Sequence, residues 1–310
     1  MDNRNTYEKR QNNKLTGVIY GVSAYTLWGL LPLYWKLLTP VPADQILAHR
    51  IVWSFVFVAA LLLFSGGLSH LLGIVKDKKK LLFISFCSVL ITVNWFTYIW
   101  AVNSSHIVET SLGYYINPLM AVFLGMTVLK ERLGIFQYIA FALAAAGVII
   151  LAVQYGKIPW ISLVLATTFA LYGLFKKLVA AESAAGLALE TAVVTPLAVA
   201  YLAFKQVTGT AALGSVPPVT AVLLLCTGVA TAVPLLWFAK GTKRTELSTM
   251  GFLQYISPTI SLIIGVLIYK EQFTRTHLIS FGFIWAALVV FSFSQVSAAR
   301  NIQPVSLKNN

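Results

Sequence analysis

Tyr115-Ile116-Asn117-Pro118 returns 140 residues later as Tyr255-Ile256-Ser257-Pro258. At the same offset Gly125 meets Gly265, Lys130-Glu131 meets Lys270-Glu271, and Phe141 meets Phe281. An earlier pair also matches: Tyr25-Thr26-Leu27-Trp28-Gly29-Leu30 parallels Phe169-Ala170-Leu171-Tyr172-Gly173-Leu174. Cys87 and Cys226 fall opposite each other one residue out of register, which marks a small indel between the copies. The chain reads as a duplicated unit.

The solvent of that unit follows from composition. Of 310 residues, 58% are hydrophobic and 11% are charged. A soluble domain carries roughly twice that charge, so much of this surface must face lipid. A helix needs about twenty apolar residues to cross the hydrocarbon core. Windows of that length fall near 17–37, 45–64, 81–101, 108–129, 135–153, 158–176, 185–205, 218–239, 246–269 and 276–296. Backbone polar groups find no water in lipid, so each span is expected to be helical. A β-barrel would alternate in short segments, and the run from Ile51 to Phe64 does not.

The expected fold class is all-α integral membrane, with ten transmembrane helices as two inverted five-helix repeats. Residues 17–153 form the first repeat and 154–297 the second. Residues 1–16 and 298–310 are cytoplasmic tails, the first without regular structure. The first apolar run is too long for a signal-peptide core, so no cleavage is expected. Five crossings are odd, so the second copy enters the membrane from the opposite side. The longest connections, 65–80 and 206–217, hold no soluble domain.

Lys and Arg set the orientation. With the N-terminus inside, the inner ends collect Lys76, Lys78, Lys79, Lys80, Lys130, Arg132, Lys176, Lys177, Lys240, Lys243 and Arg244, besides the basic tails ending at Lys308. The outer ends hold Lys36, Lys157, Lys205, Lys270 and Arg275. That bias is the positive-inside pattern. It places both termini in the cytoplasm and accounts for the net charge of +13 without nucleic acid, since no basic stripe runs along a water-facing surface.

Enzyme signatures are absent. There is no His-Glu-x-x-His, no phosphate-binding glycine loop and no nucleophile elbow. Asp2, Asp44 and Asp77 all lie outside deep spans, which excludes an intramembrane aspartyl pair. Cys87 and Cys226 read as small buried core residues. No metal, no cofactor and no nucleic-acid partner is expected.

The remaining polar residues are few and costly in lipid. His49, Arg50 and Glu190 sit near the starts of the second and seventh spans, which are repeat counterparts. There they read as gating or proton-coupling groups; the alternative is a structural ion pair or a snorkelling side chain. Pro118 and Pro258 should kink the fourth and ninth helices and free the carbonyls of Tyr114 and Gln254. With Asn117 and Ser257 beside them, these bends read as walls of a substrate cavity. Asn94 and Tyr98 share one helix face. Tyr25, Trp28, Tyr115, Trp237 and Tyr255 complete a lining suited to a flat or amphipathic organic solute. Tyr34, Trp35, Trp100 and Trp160 read as interfacial anchors. Small-residue faces, such as Ala140 to Gly147 and Gly17 with Gly21, read as close-packing scaffold.

At this point the chain resembles the EamA repeat of the drug/metabolite transporter superfamily, over about residues 15–298. Trp28-Gly29-Leu30-Leu31-Pro32-Leu33-Tyr34-Trp35 and Leu47-Ala48-His49-Arg50-Ile51-Val52-Trp53-Ser54 are similar to its RarD branch, named as chloramphenicol-sensitive proteins. So are Asn94-Trp95 and Gly113-Tyr114-Tyr115-Ile116-Asn117-Pro118-Leu119. Gln45 departs from the branch, where an acidic residue often stands. The resemblance implies a multi-pass permease of the bacterial plasma membrane with a central cavity. The function expected is secondary-active movement of a small organic metabolite or drug by alternating access. A passive facilitator and a non-transporting sensor stay open beside it. The expected partners are the small-molecule substrate and the bilayer, with a proton as coupling ion and a homodimer as the assembly to test.

Overall fold

The computed structural model describes residues 2–104, 106–179, 181–270 and 274–300. Glu271 of the second Lys-Glu pair and Lys308 lie outside the described residues. The described chain folds into twelve helices and no strand. They are α1 (Asp2–Leu37), α2 (Ala43–Phe64), α3 (Leu68–Lys76), α4 (Lys78–Asn103), α5 (Ile107–Thr127), α6 (Ile135–Tyr155), α7 (Trp160–Leu178), α8 (Ser183–Val207), α9 (Pro218–Arg244), α10 (Leu247–Gln254), α11 (Ile256–Leu267) and α12 (Arg275–Arg300).

Eight segments are long and apolar enough to cross a membrane: α2, α4, α6, α7, α8, α9, the α10–α11 run and α12. The remaining two expected spans coincide with α1 and α5, which fall outside that set. Tyr, Trp, Gly and Pro dilute the apolarity of α1, and Glu109 and Asn117 that of α5. Both helices turn such residues inward: Tyr25 and Asn117 are buried. The outer surface is apolar instead, with Phe64 93% and Leu197 71% exposed. Contiguous apolar surface on this scale needs lipid.

Two expectations change, and one connection gains an element. Residues 2–16 continue α1 as helix rather than forming an irregular tail, and Lys14 Nζ reaches Glu246 Oε1 at 2.8 Å. The 65–80 connection contains α3, a short helix packed on α4 and α8. Cys226 is exposed, not a core residue, while Cys87 is buried as expected.

Helix pairing repeats under exchange of the halves. Contact of α1 with α9 is matched by α7 with α4, and contact of α1 with α10 and α11 by α7 with α5. Contacts α2–α9 and α8–α4 form another exchanged pair, while α2–α8 and α6–α12 each map onto themselves. The copies also run in opposite senses. Glu131, after α5, accepts the N–H groups of Leu247 and Ser248 at the start of α10. That end of the bundle also holds Lys14 against Glu246. At the far end of α1, Lys36 lies over the Tyr269 ring, after α11. The α5 helix therefore ends where α10 begins.

Close approach depends on missing side chains. A Cβ on Gly228 would stand 2.3 Å from the Trp53 carbonyl carbon, and one on Gly147 2.7 Å from the Ser280 oxygen. The small faces of α6 and α1 pack as read: Gly147 meets α12, while Gly17 and Gly21 meet Arg244 and Met250. Lys130 and Lys270, repeat counterparts, both adopt the left-handed backbone region, with φ 55° and 58°. For a residue with a Cβ that conformation costs about 1–2 kcal/mol. At Lys130 the turn lets the Glu131 N–H reach the Gly125 carbonyl at 3.0 Å.

Candidate functional site

The nine expected cavity residues fall into three groups. In the first, Tyr25 and Trp28 pack with Phe169, Tyr172 and Phe238, with ring centroids 5.5–6.2 Å apart. Trp237 packs against the same cluster. Tyr25, Tyr172 and Phe238 are buried, so this group closes the interior between α1, α7 and α9.

The second group joins α4 to α5 and α7. Asn94 Nδ2 donates to the Leu165 carbonyl and to Thr168 Oγ1, both at 2.9 Å. Tyr98 meets Tyr114 with centroids 6.0 Å apart.

The third group surrounds the prolines. The Tyr255 hydroxyl donates to the Tyr115 carbonyl at 3.2 Å, and the Tyr115 ring abuts Phe281 edge-on at 5.1 Å. Asn117 is buried, and its Oδ1 meets no hydrogen-bond partner among the described residues. Ser257 sits where α11 crosses α1: its carbonyl would be 3.0 Å from a Cβ on Gly29. The two prolines act unequally. The chain stays helical through Pro118, whereas before Pro258 it breaks at Tyr255 into α10 and α11.

A narrow cleft, with room for about one water molecule, lies between α2, α4, α7, α8 and α9. Trp95, Ile51, Leu187 and Leu235 supply apolar walls, and Glu190 supplies the charged one.

The three expected gating residues occupy different surroundings. His49 is buried, and its Nδ1 accepts from Trp53 Nε1 at 3.2 Å, one turn along α2. An accepting Nδ1 carries no proton. Arg50 lies between two indoles, with its guanidinium carbon 4.8 Å from the Trp35 centroid and 5.2 Å from that of Trp95. Its Nε donates to Thr231 Oγ1 at 3.0 Å, half-way along α9. The guanidinium thus reaches mid-bundle, deeper than its position on α2 suggests. Glu190 Oε1 pairs with Lys176 Nζ at 2.7 Å, and Tyr172 donates to Oε2 at 3.2 Å. Both charged side chains are buried.

Several residues escaped the sequence reading. Trp35, read as an interfacial anchor, also flanks Arg50. Lys176 lies one helical turn after Tyr172 and faces the same way; that i, i+4 spacing was the available signal. Glu109 is buried at the start of α5, accepting from the Tyr155 hydroxyl and from the Ile161 N–H. Gln45 uses both ends of its amide: Oε1 accepts the Ala212 N–H at 2.7 Å and Nε2 donates to the Thr210 carbonyl at 2.9 Å. A carboxylate could only accept, so glutamine suits this site. Outside the spans, Glu182 caps α8 by accepting the Ala185 N–H at 2.8 Å.

Known proteins share this arrangement. The EamA-like transporter family model matches residues 15–153 and again 157–293. The chain is 50% identical over 294 residues to Uncharacterized transporter YojE of Bacillus subtilis, covering 92% of this chain and 96% of that one. It is 40% identical over 284 residues to Protein RarD of Escherichia coli, covering 92% and 96%. One solved structure matches with a TM-score of 0.68 at 18% identity, over 93% of this chain and 98% of its own; it shows the fold alone. Two family units in tandem, in a lipid-facing helical bundle, make this chain a membrane transporter, and it belongs to the EamA-like transporter family as a RarD-type member.

Proposed function

We propose that the protein is a secondary-active permease of the bacterial plasma membrane that moves a small organic solute by alternating access. The observation carrying this reading is the exchange-symmetric packing of two oppositely running halves. Two similar units packed in opposite senses can trade conformations, giving inward-open and outward-open states of similar energy. The ten apolar windows supply the spans of this reading, and the Lys and Arg bias supports cytoplasmic termini.

The interior supports the same reading. Aromatic groups from both halves, Trp28 and Tyr25 against Phe169 and Tyr172, meet in a closed plug. Parting of the halves would separate them and open a cavity lined by Asn94, Tyr98, Tyr115, Asn117, Trp237, Tyr255 and Ser257. His49 and Glu190 are the titratable groups proposed to couple proton movement to that opening, one on each of two counterpart helices. A homodimer is the assembly to test by size and cross-linking.

The test has two steps. Metabolite profiles of cells lacking and overproducing the protein nominate the solute. Its flux is then followed in proteoliposomes under an imposed pH gradient. Accumulation beyond equilibrium is expected, with His49→Gln reducing the response to the gradient. Flux that only dissipates the solute gradient would mark a passive facilitator. No flux of any nominated solute would overturn transport by the isolated chain.

A further inference from the structure

The Arg50 guanidinium is a fixed cation at mid-bundle without a carboxylate partner. Its Nε is held by Thr231, its faces by Trp35 and Trp95. Among the described residues no acidic group forms an ion pair with it, and Nη1 and Nη2 donate to no protein acceptor. Glu190, the acidic group that lines the neighbouring cleft, is already matched by Lys176. An uncompensated charge at membrane depth is expensive, and cation–π contact offsets only part of that cost.

The surroundings leave room beside those nitrogens. Arg50 is only half-buried, as are Trp35, Trp95 and Tyr98. Tyr114, whose ring meets that of Tyr98 with centroids 6.0 Å apart, is 48% exposed. The free edge of the guanidinium is therefore not sealed by packed protein, and the rings of Trp35 and Trp95 stand beside it. The apolar cleft that begins at Trp95 and Ile51 adjoins it.

We infer that Arg50 is a substrate-binding residue that grips the anionic group of an organic anion, with Trp35, Trp95, Tyr98 and Tyr114 holding a flat apolar body. Two parallel N–H donors match a carboxylate or a phosphoryl group. Thr231 and the two indoles fix the orientation of that fork, which lowers the entropic cost of binding. This inference rests on the transport reading for its purpose, but it concerns binding and is decided without flux.

The experiment uses the purified full-length protein in detergent and follows tryptophan fluorescence. The probes are benzoate, benzamide and benzylamine, with phenyl phosphate to separate carboxylate from phosphoryl preference. Benzoate or phenyl phosphate is expected to quench saturably and at least about tenfold more tightly than benzamide, with benzylamine weakest. Arg50→Gln should lose that preference, and Arg50→Lys should keep part of it because the charge stays while the fork is lost. If Arg50→Gln fails to fold, Arg50→Lys decides, since a preference undiminished there would also place the anion elsewhere. Equal binding of anion, amide and amine, no binding of either anion, or anion preference retained in folded Arg50→Gln would overturn the inference. Anion binding at Arg50 without any flux would uphold it and sink the transport reading instead.

Discussion

Tyr255 donates its hydroxyl to the carbonyl of Tyr115, its own counterpart in the other half, at 3.2 Å. The two copies therefore touch through equivalent residues, close to where their pseudo-two-fold axis must pass. Both tyrosines precede a proline by three positions. The carbonyl that Pro118 frees is that of Tyr114, so the bond to the Tyr115 carbonyl is an added tie between the halves. Tyr255→Phe removes that donor with little change in shape. A stability loss of about 1 kcal/mol is expected, read as a lower melting temperature in detergent. An unchanged melting temperature would show that the contact contributes nothing.

The Lys176–Glu190 pair gives a larger effect. With both side chains buried, Glu190→Gln strands a lysine charge, and breaking a buried pair costs about 3–5 kcal/mol. Replacing both partners, Lys176→Met with Glu190→Gln, should recover most of that loss. Thermal unfolding of the two single variants and the double variant measures the coupling directly. Additive losses would contradict the pairing.

These cases show where sequence reading succeeds and stops. The helices were legible because lipid demands long apolar runs, and the duplication was legible because Tyr-Ile-x-Pro and Lys-Glu recur at one offset. Trp35, Lys176 and Thr231 were not, since each acts through a partner on a distant helix. Trp35 and Lys176 lie near helix ends, where anchoring aromatics and loop lysines are the usual occupants. Only the packing of α1 and α9 around α2 brings Trp35 and Thr231 to Arg50. The break at Tyr255 matches the bend that Pro258 implies; the unbroken course through Pro118 shows that a proline alone does not interrupt a helix.

Glu246, between α9 and α10, should contribute to acid sensitivity. Burial pushes its carboxyl up, but the Lys14 ammonium and hydrogen bonds, including that from Thr245, outweigh it and hold the group below its ordinary value. A carboxyl depressed in the folded state contributes stability above its unfolded value. That contribution disappears as pH falls through the folded value. Wild-type protein should therefore lose melting temperature on acidification through the carboxylate range more steeply than Glu246→Gln. Parallel curves would remove Glu246 from the acid response.

Gly228 tests the close packing on which the inter-half contact between α2 and α9 depends. An added Cβ would lie 2.3 Å from the Trp53 carbonyl carbon and 2.4 Å from its oxygen. These are backbone atoms of α2 and cannot move aside as a side-chain tip can. The helices must separate instead, stretching the 3.2 Å hydrogen bond from Ser54 to the Gly228 carbonyl. Gly228→Ala is expected to destabilise by about 1–3 kcal/mol. Gly73, inside α3, has open space where a Cβ would stand, with no atom within 4 Å. There the only change is the greater freedom glycine has when unfolded, so Gly73→Ala should stabilise by roughly 0.5–1 kcal/mol. Opposite signs for one chemical change would tie the first effect to the α2–α9 crossing. A loss of similar size at both positions would mean that helix packing is not what Gly228 protects.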